Sequence, residues 1–96
     1  MSSKPKVDIV VSEVGPRDGL QSIKTLMPLA AKIAWIEAEA AAGVGEIEVG
    51  SFVPASILPQ LADTDQLVRH ALGVSGLTVA VLVPNYKGAV RAMECG

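Results

Sequence analysis

The sequence contains few cysteines and few aromatic residues. Cys95 is its only cysteine, so an internal disulfide is impossible, and tryptophan, tyrosine and phenylalanine each occur once. Half of the residues are nevertheless hydrophobic, mainly alanine, valine, leucine and isoleucine. This composition is typical of buried strands that alternate with helices. Together with the lack of a secretory leader before Val7, the single thiol predicts a reducing, cytoplasmic setting.

Clustered positive charge and long apolar runs are also lacking. The chain has 8 basic and 10 acidic residues, and its basic residues do not cluster beyond Lys4 and Lys6 near the start. We therefore expect no nucleic-acid partner, because no surface for binding phosphates is visible. No apolar run approaches the roughly 20 residues of a membrane span, so we expect no membrane association either.

Hydrophobic periodicity predicts three strands that alternate with three helices. Residues 7–14 and 46–50 have the pattern of strands, and residues 29–42 have that of a helix. Pro28 suits the first helical position, and Gly43 suits the C-terminal cap.

The second half of the chain continues this alternation. Residues 51–62 contain two prolines and form a connection, after which Asp63 can cap a helix that runs to about Leu72. Residues 77–83 form a third strand, Pro84 and Asn85 form a loop, and a helix then extends to Gly96.

Successive βα units of this kind form either an open, doubly wound sheet or a closed (β/α)8 barrel. Three parallel strands alone would leave sheet edges unpaired and bury little surface. We therefore interpret residues 7–96 as three βα units of an incomplete TIM barrel, preceded by a flexible segment at residues 1–6. The alternative is an independent, non-catalytic module that associates through its open strand edges.

The strongest chemical signal follows the first predicted strand. Residues 13–21 read E-V-G-P-R-D-G-L-Q and place Arg17, Asp18 and Gln21 at the carboxyl end of that strand. Active sites of parallel α/β folds lie at this end. The Asp18 carboxylate could bind a divalent cation while the Arg17 guanidinium binds an oxyanion. An Arg17–Asp18 ion pair in a polar turn explains the same residues equally well.

Three further polar residues lie on or after the other predicted strands. Glu48 lies between Ile47 and Val49 and faces the barrel interior, where it is either catalytic or part of a structural ion pair. Ser51 and Asn85 follow the second and third strands and could hydrogen-bond a substrate. Capping of a loop is the stronger alternative for Asn85.

These segments resemble the hydroxymethylglutaryl-CoA lyases. The nonapeptide at residues 13–21 resembles their signature, and the Gly-Pro before Arg17 favours them over isopropylmalate synthases and carboxyltransferases that share an Arg-Asp-Gly turn. Residues 47–54 (I-E-V-G-S-F-V-P) and 82–88 (L-V-P-N-Y-K-G) agree in order and spacing.

The resemblance implies a (β/α)8 barrel that cleaves 3-hydroxy-3-methylglutaryl-CoA into acetyl-CoA and acetoacetate, as in leucine degradation. Asp18 would ligate Mg²⁺ or Mn²⁺, and Arg17 would neutralise an enolate oxygen. Glu48 would orient metal-bound water or the substrate hydroxyl. Gln21, Ser51 and Asn85 would contact the acyl-CoA substrate.

The family's two histidine ligands, its asparagine ligand and its catalytic cysteine have no counterparts in these 96 residues. One ligand cannot fill the roughly six positions that Mg²⁺ requires. We therefore expect the chain to be inactive alone and the complete enzyme to be a homo-oligomer. A related aldolase or acyl transferase that uses the same turn is the alternative enzyme.

Overall fold

The architecture comes from a computed structural model, which describes residues 9–96. Strands and helices alternate along the chain, as the periodicity predicts, and short helical turns occur in two of the connections. In chain order the elements are β1 (Ser12–Glu13), a π-helical turn (Gly15–Gly19), α1 (Leu29–Ala41), β2 (Glu46–Ser51), a 3-10 turn (Pro59–Leu61), α2 (Thr64–Ala71), β3 (Thr78–Leu82) and α3 (Tyr86–Glu94).

The three strands form one parallel sheet in the order β1-β2-β3. Ser12 pairs with Glu46 on one side of β2, and Thr78 pairs with Glu46 on the other. The register of β2 against β3 shifts between Glu48 and Gly50, which is a β-bulge. The parallel arrangement confirms the predicted α/β fold with successive βα units.

The core lies between the sheet and the helices. Ile47 and Val49 of β2 are fully buried and pack against Ile36 of α1 and Leu67 of α2. Because side chains alternate along a strand, Glu46 and Glu48 lie on the opposite face of β2. The sheet therefore has an apolar face covered by helices and a second face that carries charge.

The predicted first helix is confirmed almost residue for residue. It begins at Leu29 and ends at Ala41, and Gly43 follows with a φ of 100°, a conformation that favours glycine. We predicted that Pro28 is the first helical residue, but it precedes the helix as its N-cap.

The first strand is shorter than predicted. In the described part of residues 7–14, only Ser12 and Glu13 pair as a strand. The three residues before them are 70–79% exposed, because β2 begins at Glu46, opposite Ser12, and leaves them beyond the paired part of the sheet. The segment predicted to be flexible, residues 1–6, lies outside the described residues.

The second and third helices correct two details of the prediction. Asp63 occupies the N-cap position of α2, but its side chain makes no capping hydrogen bond. Its carboxylate instead lies 2.6 Å from the Lys32 ammonium. The third helix ends at Glu94 and not at Gly96. No helix within residues 9–96 is both long and apolar enough to cross a bilayer.

Candidate functional site

The site begins at a tight turn directly after β1. The carbonyl oxygen of Val14 accepts hydrogen bonds from three successive backbone N–H groups, those of Arg17 (3.1 Å), Asp18 (2.6 Å) and Gly19 (3.4 Å). Pro16 is buried in this turn and supplies a fixed φ near its start. The chain therefore reverses within five residues and leaves Arg17 and Asp18 at the carboxyl end of β1.

Two contacts hold the turn from outside. The Gly15 N–H donates to Oε1 of Glu13 at 2.8 Å. A Cβ atom on Gly15 would lie 2.6 Å from the Trp35 ring, so only glycine fits beneath this side chain. Trp35 is itself anchored, because its Nε1–H donates to Oε1 of Glu39 at 2.6 Å. The turn therefore rests on α1.

Arg17 makes its principal contact with Glu48. Arg17 Nε donates to Glu48 Oε1 at 2.8 Å across 31 residues of sequence. The two side chains are only 17% and 23% exposed, so this charge-assisted bond is largely shielded from water. The ion pair predicted as one alternative for Glu48 is present and joins the first strand's turn to the second strand.

Asp18 is more exposed than Arg17 and Glu48. Its Oδ1 lies 3.2 Å from Arg17 Nη1, and its side chain is 61% exposed. The Asp18 Oδ2 and Arg17 Nη2 atoms make no hydrogen bond with other described residues. An exposed carboxylate with one free oxygen fits a single ligand of a divalent cation. Within residues 9–96, no three histidine, cysteine or acidic residues group together as a metal site.

Ser51 is the last residue of β2, not the first residue after it. It is 1% exposed, and its Oγ finds no hydrogen-bond partner among the described residues. Its backbone N–H donates to Thr64 Oγ1 at 3.1 Å, which holds the strand end against α2.

Gln21 and Asn85 lie near the same end of the sheet, and both have other contacts. The Gln21 backbone oxygen accepts from Gln60 Nε2 at 3.1 Å, while its side-chain Oε1 is buried and unpaired within the described chain. Asn85 Oδ1 accepts from the Gly88 N–H at 2.8 Å and caps α3. The structure thus brings Arg17 into direct contact with Asp18 and Glu48. The side chains of Gln21 and Asn85 do not hydrogen-bond to these three within the described chain.

Lys32 is an important buried residue that the sequence interpretation missed. It is 2% exposed, and its Nζ donates to Asp63 Oδ1 and to the Gln60 carbonyl oxygen, both at 2.6 Å. A signal for this was present, since Lys32 lies one turn after Leu29 and one turn before Ile36 on the apolar stripe of the helix. Its partner lies 31 residues away and could not be inferred from spacing.

The chain is similar over its whole length to curated lyases. It is 43% identical to a 3-hydroxy-3-isohexenylglutaryl-CoA/hydroxymethylglutaryl-CoA lyase of Pseudomonas aeruginosa, covering all of this chain and 31% of the relative. A mitochondrial hydroxymethylglutaryl-CoA lyase of mouse is 38% identical over all of this chain and 29% of its own length. A cytoplasmic 3-hydroxy-3-methylglutaryl-CoA lyase of rat is 39% identical over 92% of this chain and 26% of its own length.

Solved structures give the same result for the fold. A hydroxymethylglutaryl-CoA lyase from P. aeruginosa superposes with a TM-score of 0.85 at 42% identity, over 92% of this chain and 29% of that protein. An HMG-CoA lyase from Acinetobacter baumannii, in complex with coenzyme A and 3-methylmalate, gives 0.82 at 40% identity, over 90% and 28%. No protein-family profile matches the chain. The chain spans about three-tenths of the length of the relatives it matches.

Proposed function

We propose that the residues of this chain form one part of a hydroxymethylglutaryl-CoA lyase active site. The proposal rests on the membership of this chain in the hydroxymethylglutaryl-CoA lyases, to whose N-terminal part it corresponds. The reaction is the cleavage of 3-hydroxy-3-methylglutaryl-CoA to acetyl-CoA and acetoacetate. The observation that carries the proposal is the contact of Arg17 with both Glu48 and Asp18 at the carboxyl end of the sheet.

Arg17 is suited to stabilise the negative charge that this cleavage creates. The C3 hydroxyl of the substrate loses its proton and becomes a ketone, and the C2–C3 bond breaks. Its electron pair passes to the thioester as an enolate, which then takes up a proton at carbon. Arg17 binds its two acidic neighbours through Nε and Nη1, so the Nη2 hydrogens can donate to the enolate oxygen.

Glu48 keeps the Arg17 guanidinium in one orientation. Because Arg17 is bonded at 2.8 Å to a strand residue, its donors are in place before the substrate arrives. The second oxygen of the Glu48 carboxylate can accept a hydrogen bond from the substrate hydroxyl.

Asp18 would supply one ligand to a divalent cation, Mg²⁺ or Mn²⁺, and the remaining ligands would come from outside the described residues. When bound, such a cation polarises oxygen atoms of the substrate. Asp18 also shares the Arg17 charge at 3.2 Å. Metal binding and guanidinium orientation are therefore coupled.

An acyl-CoA is the proposed ligand, with Gln21, Ser51 and Asn85 as further substrate contacts. The A. baumannii relative was solved with coenzyme A, and it superposes on this chain with a TM-score of 0.82. We extend the proposal to a cytoplasmic homo-oligomer that acts in leucine degradation; a rat relative is cytoplasmic, whereas a mouse relative is mitochondrial.

The test is a hybrid lyase, in which these 96 residues replace the aligned N-terminal stretch of the P. aeruginosa relative. We expect metal-dependent release of acetoacetate from hydroxymethylglutaryl-CoA. The 96-residue chain alone should show no turnover. Asp18→Asn should weaken Mg²⁺ binding, because a charged oxygen ligand becomes neutral.

The matched control is Asp65→Asn on α2, where the carboxylate lies 3.5 Å from Arg69 and outside the cluster. A hybrid that folds but cleaves no substrate would contradict the proposed activity. Equal Mg²⁺ affinity in the Asp18 and Asp65 variants would contradict the role of Asp18 alone.

A further inference from the structure

A chain of polar contacts joins the loop after the Arg17 turn to the next βα unit. Gln60 Nε2 donates to the backbone oxygens of Gln21 and Ile23, both at 3.1 Å. The Gln60 backbone oxygen in turn accepts from Lys32 Nζ at 2.6 Å. One residue thus binds α1 through its main chain and the first loop through its side chain.

Lys32 fixes the position of this residue. Its ammonium is almost fully buried, and a buried charge is costly unless it is paired and hydrogen-bonded. Asp63 Oδ1 and the Gln60 carbonyl oxygen provide these partners at 2.6 Å each. Residues 60 and 63 therefore cannot move away from α1 without leaving a buried cation unpaired.

The loop that Gln60 contacts begins immediately after the turn that carries Arg17 and Asp18. Gln21 lies two residues after Gly19, the end of the π-helical turn, and residues 23–28 before α1 have no regular hydrogen-bonded structure. A segment without internal hydrogen bonds needs bonds from elsewhere to keep one conformation. One Gln60 bond reaches this segment at the Ile23 oxygen, and the other holds Gln21 just before it.

We propose that Gln60, itself held by Lys32 and Asp63, is a positioning residue for Arg17 and Asp18. It touches neither the reacting groups nor a metal ligand. It acts by limiting the movement of the loop that continues from their turn. This inference rests on the proposed lyase function, since positioning has a catalytic consequence only in a working enzyme.

The test compares Gln60→Met with Gln66→Met in the hybrid lyase. Methionine has nearly the size of glutamine but cannot donate a hydrogen bond. Gln66 is exposed on α2 and makes no side-chain hydrogen bond within the described chain. We expect Gln60→Met to lower kcat about tenfold with a smaller change in KM, because misplacement of catalytic groups slows the chemical step. Gln66→Met should leave both constants within about twofold, as expected of an exposed position away from special contacts.

A second measurement separates positioning from loss of folded protein. Hydrogen exchange of the amides at residues 20–27 should quicken in Gln60→Met, while exchange across β2 stays as in the parent. An unchanged kcat per folded molecule, or unchanged exchange in that loop, would overturn the inference. Failure of the parent hybrid to turn over substrate would instead count against the lyase proposal, so the two failures are distinguishable.

Discussion

The two faces of β2 differ in what they contact and in what they do. On one face Ile47 and Val49 are fully buried against the helices. On the other, Glu48 carries a carboxylate that reaches Arg17 of the neighbouring unit. The same short strand therefore contributes to the core with alternate residues and to the candidate site with those between.

This division shows how a charged group can occupy a strand without weakening the fold. The apolar face supplies the burial that stabilises the sheet. The charged face is partly shielded, and Glu48 there has a guanidinium partner that offsets the cost of its desolvation. Changes on one face should thus affect stability, and changes on the other should affect chemistry.

Arg17 bonds to Glu48 on the charged face of β2, and replacing it should produce the largest loss of activity. In the hybrid lyase, Arg17→Met should lower kcat/KM about 10³-fold, because an oriented donor to a developing oxyanion is lost. Arg17→Lys should recover little of this, since an ammonium cannot reproduce the two-pronged contact with Glu48 and Asp18. Steady-state kinetics with a matched melting curve measures both effects.

The control for this prediction is Arg69→Met on α2, where the guanidinium is 56% exposed and pairs with Asp65. It should retain nearly full activity. If Arg17→Lys were as active as the parent, the two-pronged contact would have no catalytic importance.

Replacing Ile47 should affect stability and leave the chemistry intact. Ile47→Ala removes a fully buried side chain and should lower the free energy of unfolding by about 3 kcal/mol. Its comparison is Leu82→Ala in β3, where the side chain is 40% exposed and the expected loss is below about 1 kcal/mol. Urea denaturation of the hybrid measures both. Equal losses for the two variants would show that the faces do not differ in burial.

Gly50 lies where the strand meets α2, and a larger residue should separate them. A Cβ at this position would clash with Thr64 Oγ1 and lie 2.8 Å from Thr64 Cγ2. Gly50→Ala should therefore cost about 2 kcal/mol of stability through overpacking.

The double variant Gly50→Ala with Thr64→Ala tests this cause. It should be more stable than the sum of the two single losses predicts, because the second change removes the two closest clashing atoms, Thr64 Oγ1 and Cγ2. Strict additivity in denaturation experiments would mean that the steric contact with Thr64 is not the cause.

The sequence predicted the elements with strong periodicity and the three residues of the candidate site, Arg17, Asp18 and Glu48. The first helix is clear because apolar residues recur at its spacing and Gly43 follows it. Arg17 and Asp18 are identifiable because they follow a strand in a parallel α/β pattern, where sites form. An ion pair was one of two predictions for Glu48, and its partner, Arg17, is identified by the structure alone.

The features that sequence could not supply depend on contacts between distant segments. The side chain of Asp63 was predicted to cap α2, but a buried ammonium attracts it more strongly than a backbone N–H at a helix end. The shortness of β1 reflects the start of its partner β2 at Glu46, opposite Ser12, which periodicity does not reveal. The bulge in β2 is likewise a property of its pairing with β3.

Substitution of Asn85 should give the smallest effect. It tests whether this residue serves the fold, by capping α3, or binds the substrate. Its side chain caps α3 through a 2.8 Å bond from the Gly88 N–H, and Asn85→Ala should cost about 1 kcal/mol of stability. Asn85→Asp retains a capping oxygen but loses the amide N–H donors. If Asn85 only caps, the aspartate variant should match the parent in both melting temperature and KM for the acyl-CoA. If its amide binds substrate as proposed, KM should rise severalfold while the melting temperature stays constant.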